Sequence, residues 1–160
     1  MQTEHDGRTD FDFIIGRWKV HNRSLRQRLK GSSDWQEFEA TSVARKILGG
    51  IGNIDEITFD RETGPIDGMA LRLFDPKSQK WSIYWSSSTT GVLDTPMIGK
   101  FENGRGEFFA QELHESKHVY SRFIWSEITE NSCRWEQALS PDGGKTWETN
   151  WIMEFTRLDE

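Results

Sequence analysis

Side-chain character alternates along nearly the whole chain, in short runs divided by turn signals, and that pattern leaves few architectures open. Trp18, Val20, Asn22 and Ser24 share one face of an extended segment, and Arg17, Lys19, His21 and Arg23 share the other. Residues 35–47 repeat the device, with Phe38, Ala40, Ser42 and Ala44 opposite Glu37, Glu39 and Thr41. Trp81-Ser82-Ile83-Tyr84-Trp85 alternates strictly, with rings on both faces. Similar runs cover 53–60, 68–74, 97–101, 106–113, 119–128, 132–139 and 147–158. Gly31-Ser32-Ser33-Asp34, Gly49-Gly50, Gly64-Pro65, Asp75-Pro76-Lys77-Ser78 and Asn103-Gly104 stand between them as turns. No segment places apolar residues at helical spacing over three turns. The spacing predicts an all-β chain of about ten strands in one antiparallel meander, and a meander this long removes its exposed edges most simply by closing into a barrel.

A chain of 160 residues can bury a core of its own, and no Gly/Ser/Pro linker divides it. We expect one domain over 11–160, preceded by a flexible polar leader over 1–10 that the Phe11 and Phe13 rings pin to the body. Hydrophobic residues make up only 34% of the chain, yet 12% are aromatic and eight are Trp, so large rings must supply much of the buried area. A net charge of −6 and a pI near 5.3 argue against nucleic acid or an anionic membrane as partner. The single cysteine, Cys133, has no intramolecular partner, and no apolar stretch is long enough for a signal segment or a membrane span, so a cytoplasmic setting is expected. Among alternating neighbours Cys133 reads as a small buried hydrophobe rather than a nucleophile.

The Phe11-Asp12-Phe13 cluster followed by Gly16-Arg17-Trp18 resembles the opening of the calycins, the lipocalins and fatty-acid-binding proteins, whose first strand carries Gly-x-Trp. Residues 11–20, 49–56, 72–85 and 122–157 are similar to an uncharacterised bacterial lipocalin-like family, DUF1579. The resemblance implies a calycin-like barrel with a small molecule inside it and assigns no activity. Haem-binding barrels of related shape open on a glycine-rich segment that this chain lacks, and no histidine stands near the C-terminus, so no cofactor is expected.

Two motifs have a functional and a plain reading. His114-Glu115-Ser116-Lys117-His118 matches the zinc-binding His-Glu-x-x-His, but that motif needs a helix to bring its imidazoles together, and the flanking sequence reads as strands. We expect a hairpin turn and no metal. Ser140-Pro141-Asp142-Gly143-Gly144-Lys145-Thr146-Trp147 resembles the Asp-box of sialidase propellers. One copy in a chain of this length reads as a hairpin device, with Asp capping turn amides and Gly supplying positive φ.

Candidate site residues are the polar side chains set into aromatic strands, Arg72, Tyr84, Arg122, Gln137 and Asn150, and the rings Trp18, Trp85, Trp135 and Trp151 as cavity wall. Alternation leaves open which way Arg72 and Arg122 face. If both point inward, they favour an anionic or carbonyl-bearing ligand. The expected function is binding of a small, mostly apolar ligand with one polar or anionic end inside the barrel. One alternative is a cyclase- or isomerase-type enzyme using a buried acid such as Glu56 or Glu136. The other is an interaction module, homodimeric or otherwise, built on exposed aromatics.

Overall fold

The computed structural model describes residues 6–158. Ten strands follow in order: β1 (Gly16–Leu25), β2 (Trp35–Ile47), β3 (Gly52–Arg61), β4 (Gly64–Asp75), β5 (Lys80–Ser87), β6 (Met97–Glu102), β7 (Arg105–His114), β8 (Lys117–Ser126), β9 (Ser132–Ser140) and β10 (Glu148–Arg157). Each runs antiparallel to the next, and β1 pairs with both β2 and β10, so the sheet closes on itself. This is the ten-strand meander barrel that the alternation and turns predict. Closure gives every strand a neighbour on both sides and so removes most of the edge that another chain could extend. Trp18, Val20, Asn22 and Ser24 are buried, and Arg17, Lys19 and Arg23 face water, as the charge on that face requires.

One end of the barrel is plugged. The chain enters through two short 3-10 turns, Gly7–Thr9 and Asp12–Ile14, which lay Phe11 across the opening with no exposed surface. Its ring meets Trp81, Phe101, Phe108 and Trp125 at centroid distances of 5.1, 4.8, 5.7 and 5.8 Å, the separations at which edge and offset contacts are favourable. Only part of the expected leader is described. Residues 1–5 lie outside the described residues, but Gly7 is buried, donates its N–H to Gln79 Oε1 at 3.0 Å and accepts from Trp81 Nε1 at 3.0 Å.

A single arginine ties the plug to the wall. Arg157 Nη1 donates to the Ile15 carbonyl at 2.6 Å, Nη2 to Phe13 at 2.9 Å and Nε to Glu130 at 2.9 Å, while the guanidinium lies 4.2 Å from the Trp18 ring centre. Trp18 Nε1 donates to the Ile14 carbonyl at 2.8 Å. Gly16 has φ +125°, and a Cβ there would sit 2.4 Å from Arg157 Nη1. The Gly-x-Trp step is therefore built for packing, with glycine leaving room for the arginine that covers the indole.

Both motifs form turns between strands. The β7–β8 loop is Glu115-Ser116 with φ of 50° and 66°, a tight hairpin turn. His118 pairs across it with Leu113, which alternates with His114, so the two imidazoles project from opposite faces. Among the described residues no cluster of metal-ligating side chains forms. In the β9–β10 turn, Asp142 accepts from Thr146 N–H at 2.9 Å, Thr146 Oγ1 at 2.6 Å and Ser140 Oγ at 2.8 Å, which holds its carboxyl down at about 2. That turn swings Trp147 onto the outside of the barrel, where Arg122 stacks 4.4 Å from its ring.

Candidate functional site

The barrel interior holds a cavity of about 120 Å³ between the plug and the opposite, open end. Its walls are Phe59, Ala70, Ile83, Trp85, Met97, Phe123, Trp135, Trp151 and Met153, with Trp125 and Phe155 toward the floor. Trp135 packs edge-on against Phe123 at 5.0 Å and Trp151 at 5.9 Å, and Trp151 against Phe59 at 5.7 Å. Each ring is thus held by another, and the wall is stiff. Gly68 makes this possible on β4, since a Cβ there would lie 2.1 Å from the Trp85 ring.

The floor carries a buried ion pair. Arg72 Nη2 donates to Asp55 Oδ2 at 3.0 Å and Nη1 to Asn53 Oδ1 at 2.9 Å, and Ser42 Oγ donates to Asp55 Oδ1 at 3.3 Å. Both ionic side chains are at most 5% exposed. The guanidinium also lies 5.1 Å from the Phe11 ring and 5.5 Å from that of Trp125. Every acceptor oxygen of the pair is engaged. Two donors among the lining residues are not: Arg72 Nε and Trp125 Nε1 are buried without a partner. Buried donors of this kind cost free energy until an oxygen meets them.

Gln137, on β9, lines the cavity and donates through Nε2 to Asn150 Oδ1 at 2.8 Å. Asn150 sits at a bulge, where the β10–β9 register shifts between Thr149 and Trp151, and is fully buried. Trp151 Nε1 donates to Asn22 Oδ1 at 3.0 Å. At the open end the lining includes Asp94 and Thr95, from the β5–β6 connection, and Glu112 on β7. β5 and β6 share only the pairs Trp81–Gly99, Ser82–Ile98 and Ile83–Met97, so the wall parts above Ile83 where that connection crosses.

Of the residues singled out from sequence, the structure gathers Arg72, Trp85, Trp135, Gln137 and Trp151 around the cavity, with Asn150 behind Gln137. It places three elsewhere. Trp18 is core packing beside the plug, and Tyr84 and Arg122 face outward, Arg122 beneath Trp147. Glu56 is exposed, and Glu136, paired with Arg134 at 3.2 Å, is likewise on the outer face. The interior acid is Asp55, one position from Glu56. A signal for it exists, because Asp55 shares a strand face with Ile57 and Phe59. Trp125 shares one with Phe123 in the same way, whereas nothing local marks Asp94 or Glu112. Cys133 is buried and its thiol is pushed up to about 12, chiefly by burial, with Arg72 and Arg157 opposing. It has no thiolate to offer.

No family model and no curated protein matches this chain, so the comparisons give no support to DUF1579 in particular. Among solved structures the chain is similar to the S-type phycobiliprotein lyase CPES from Guillardia theta, with a TM-score of 0.64 over 98% of this chain and 95% of that one, at 10% identity. At that identity the likeness is one of fold, a lipocalin-like closed barrel. Among the described residues no helix is long and apolar enough to cross a membrane.

Proposed function

We propose that the chain is a single calycin-like domain that binds a small, flat, mostly apolar molecule inside its barrel, with a hydrogen-bond acceptor at the molecule's deep end. The observation that carries this reading is the aromatic cavity over a floor whose free groups are donors only. Its size sets the ligand class. An engineered protein cavity of about 150 Å³ admits benzene, so about 120 Å³ here suits one ring, with substituents reaching toward the open end. A carbonyl or hydroxyl oxygen would relieve Arg72 Nε or Trp125 Nε1. An anionic head is less well served, because the Arg72 charge is already matched by Asp55 and Arg122 faces outward.

Acetophenone, a ring bearing one carbonyl, is the appropriate first probe. It should perturb tryptophan fluorescence saturably, and Ala70→Leu, which fills the cavity from β4, should weaken its binding at least about tenfold while the far-ultraviolet circular dichroism of the barrel persists. Unchanged affinity in that variant would place the probe outside the barrel.

A further inference from the structure

The open end of the cavity carries a charge pattern unlike its floor. Asp55 and Arg72 cancel below. Above them the charged lining groups are Asp94 and Glu112, both carboxylates, both open to solvent, and neither holding a hydrogen-bond or ion-pair partner among the described residues. Arg28, from the β1–β2 connection, lies 5.9 Å from the Trp151 ring centre. It is not part of the lining, and the Glu112 and Glu148 carboxylates both act on it. The three carboxylates outnumber it. Of the rings toward this end, Trp151 already carries the Arg28 guanidinium over its face, the arrangement by which an aromatic ring favours a cation. The Glu112 carboxyl is pushed up, first by partial burial and then by Asp94, with Arg28 and His114 opposing, so a positive group arriving beside it relieves a strain already present.

We infer that the ligand's outer end is cationic: the cavity takes a single-ring organic amine, its ring among the tryptophans and its ammonium between Asp94 and Glu112. This rests on the cavity reading above and specifies what that site selects. An anion at the same place would meet two unpartnered carboxylates, and a neutral molecule would gain at most a hydrogen bond from them, without the charge attraction.

Three probes of nearly equal size separate the possibilities: 2-phenylethylamine, protonated at neutral pH, 2-phenylethanol, neutral, and 3-phenylpropanoate, anionic. In calorimetric titrations at low salt the amine should bind about tenfold more tightly than the alcohol and the carboxylate more weakly than either, with the amine's advantage falling as salt is raised. In the double variant D94N/E112Q the amine and the alcohol should come within about threefold of each other. An alcohol that binds as well as the amine, a carboxylate that binds best, or an amine preference that survives D94N/E112Q overturns the inference and leaves the cavity reading in place. Failure of all three probes to bind removes both.

Discussion

Replacing Asp55 alone, as Asp55→Ala, should destabilise the barrel by about 3–5 kcal/mol, the scale for stranding one member of a buried ion pair. Arg72 would keep Asn53 Oδ1 at 2.9 Å but lose the only ion-pair partner it has among the described residues, in a site where its side chain is 4% exposed. The stacking rings of Phe11 and Trp125 soften the loss without supplying a negative charge. If the cost comes from the stranded charge and not from lost packing, Asp55→Leu combined with Arg72→Met should recover most of it, since apolar replacements of similar volume often equal a buried pair. Urea unfolding of Asp55→Leu, Arg72→Met and the double variant measures this as a cycle. A cost below about 1 kcal/mol for Asp55→Ala would mean that water reaches the pair, contrary to its burial.

Phe11→Ala should cost about 3–5 kcal/mol, the range for a large aromatic removed from a core that cannot collapse around it. Collapse is hindered because the five rings around Phe11 are Phe13 of the entry segment, at 5.7 Å, and one each from β5, β6, β7 and β8, the latter four fixed by their strand pairing. The variant should also extend the cavity downward, since Phe11 lies against the Arg72 guanidinium that forms its floor. Thermal unfolding and the size of the largest benzene derivative bound report the two effects separately. A variant that unfolds at the parent temperature would show that the plug is not part of the core.

Much of the architecture was legible because strand and turn signals agree. The ten runs of alternation fall on β1 to β10, and the positive-φ positions Asn103, Gly104, Gly143 and Gly144 stand in hairpin loops where such residues are least strained. The site was legible only where the two faces of a strand differ in polarity. On β1 they do, with a charged outer face. On β8 they do not: Phe123 and Trp125 face inward, yet Ile124 on the other side is 2% exposed, and Arg122 lies under the Trp147 ring. Alternation between two apolar faces has a period but no sign, and so Arg122 could not be placed. Asn150, singled out from the sequence as a lining residue, stands behind Gln137 and not on the wall for another reason. The bulge between Thr149 and Trp151 shifts the register of β10 against β9, and a one-residue shift reassigns every face beyond it. Arg157 and Gly16 are far apart in sequence, and nothing local announces that the glycine exists to admit the guanidinium.

The central claim, that the ligand enters the barrel, is tested most directly by following the indole N–H resonances of the eight tryptophans in a ¹⁵N-labelled sample titrated with acetophenone. Trp85, Trp125, Trp135 and Trp151 line the cavity, and Trp35 and Trp147 belong to the outside of the barrel. Ring currents and new hydrogen bonds should shift the first four, with Trp125 moving most if its unpartnered N–H finds the carbonyl, while Trp35 and Trp147 stay in place. Shifts confined to Trp35 and Trp147, or none at saturating acetophenone, would contradict the account.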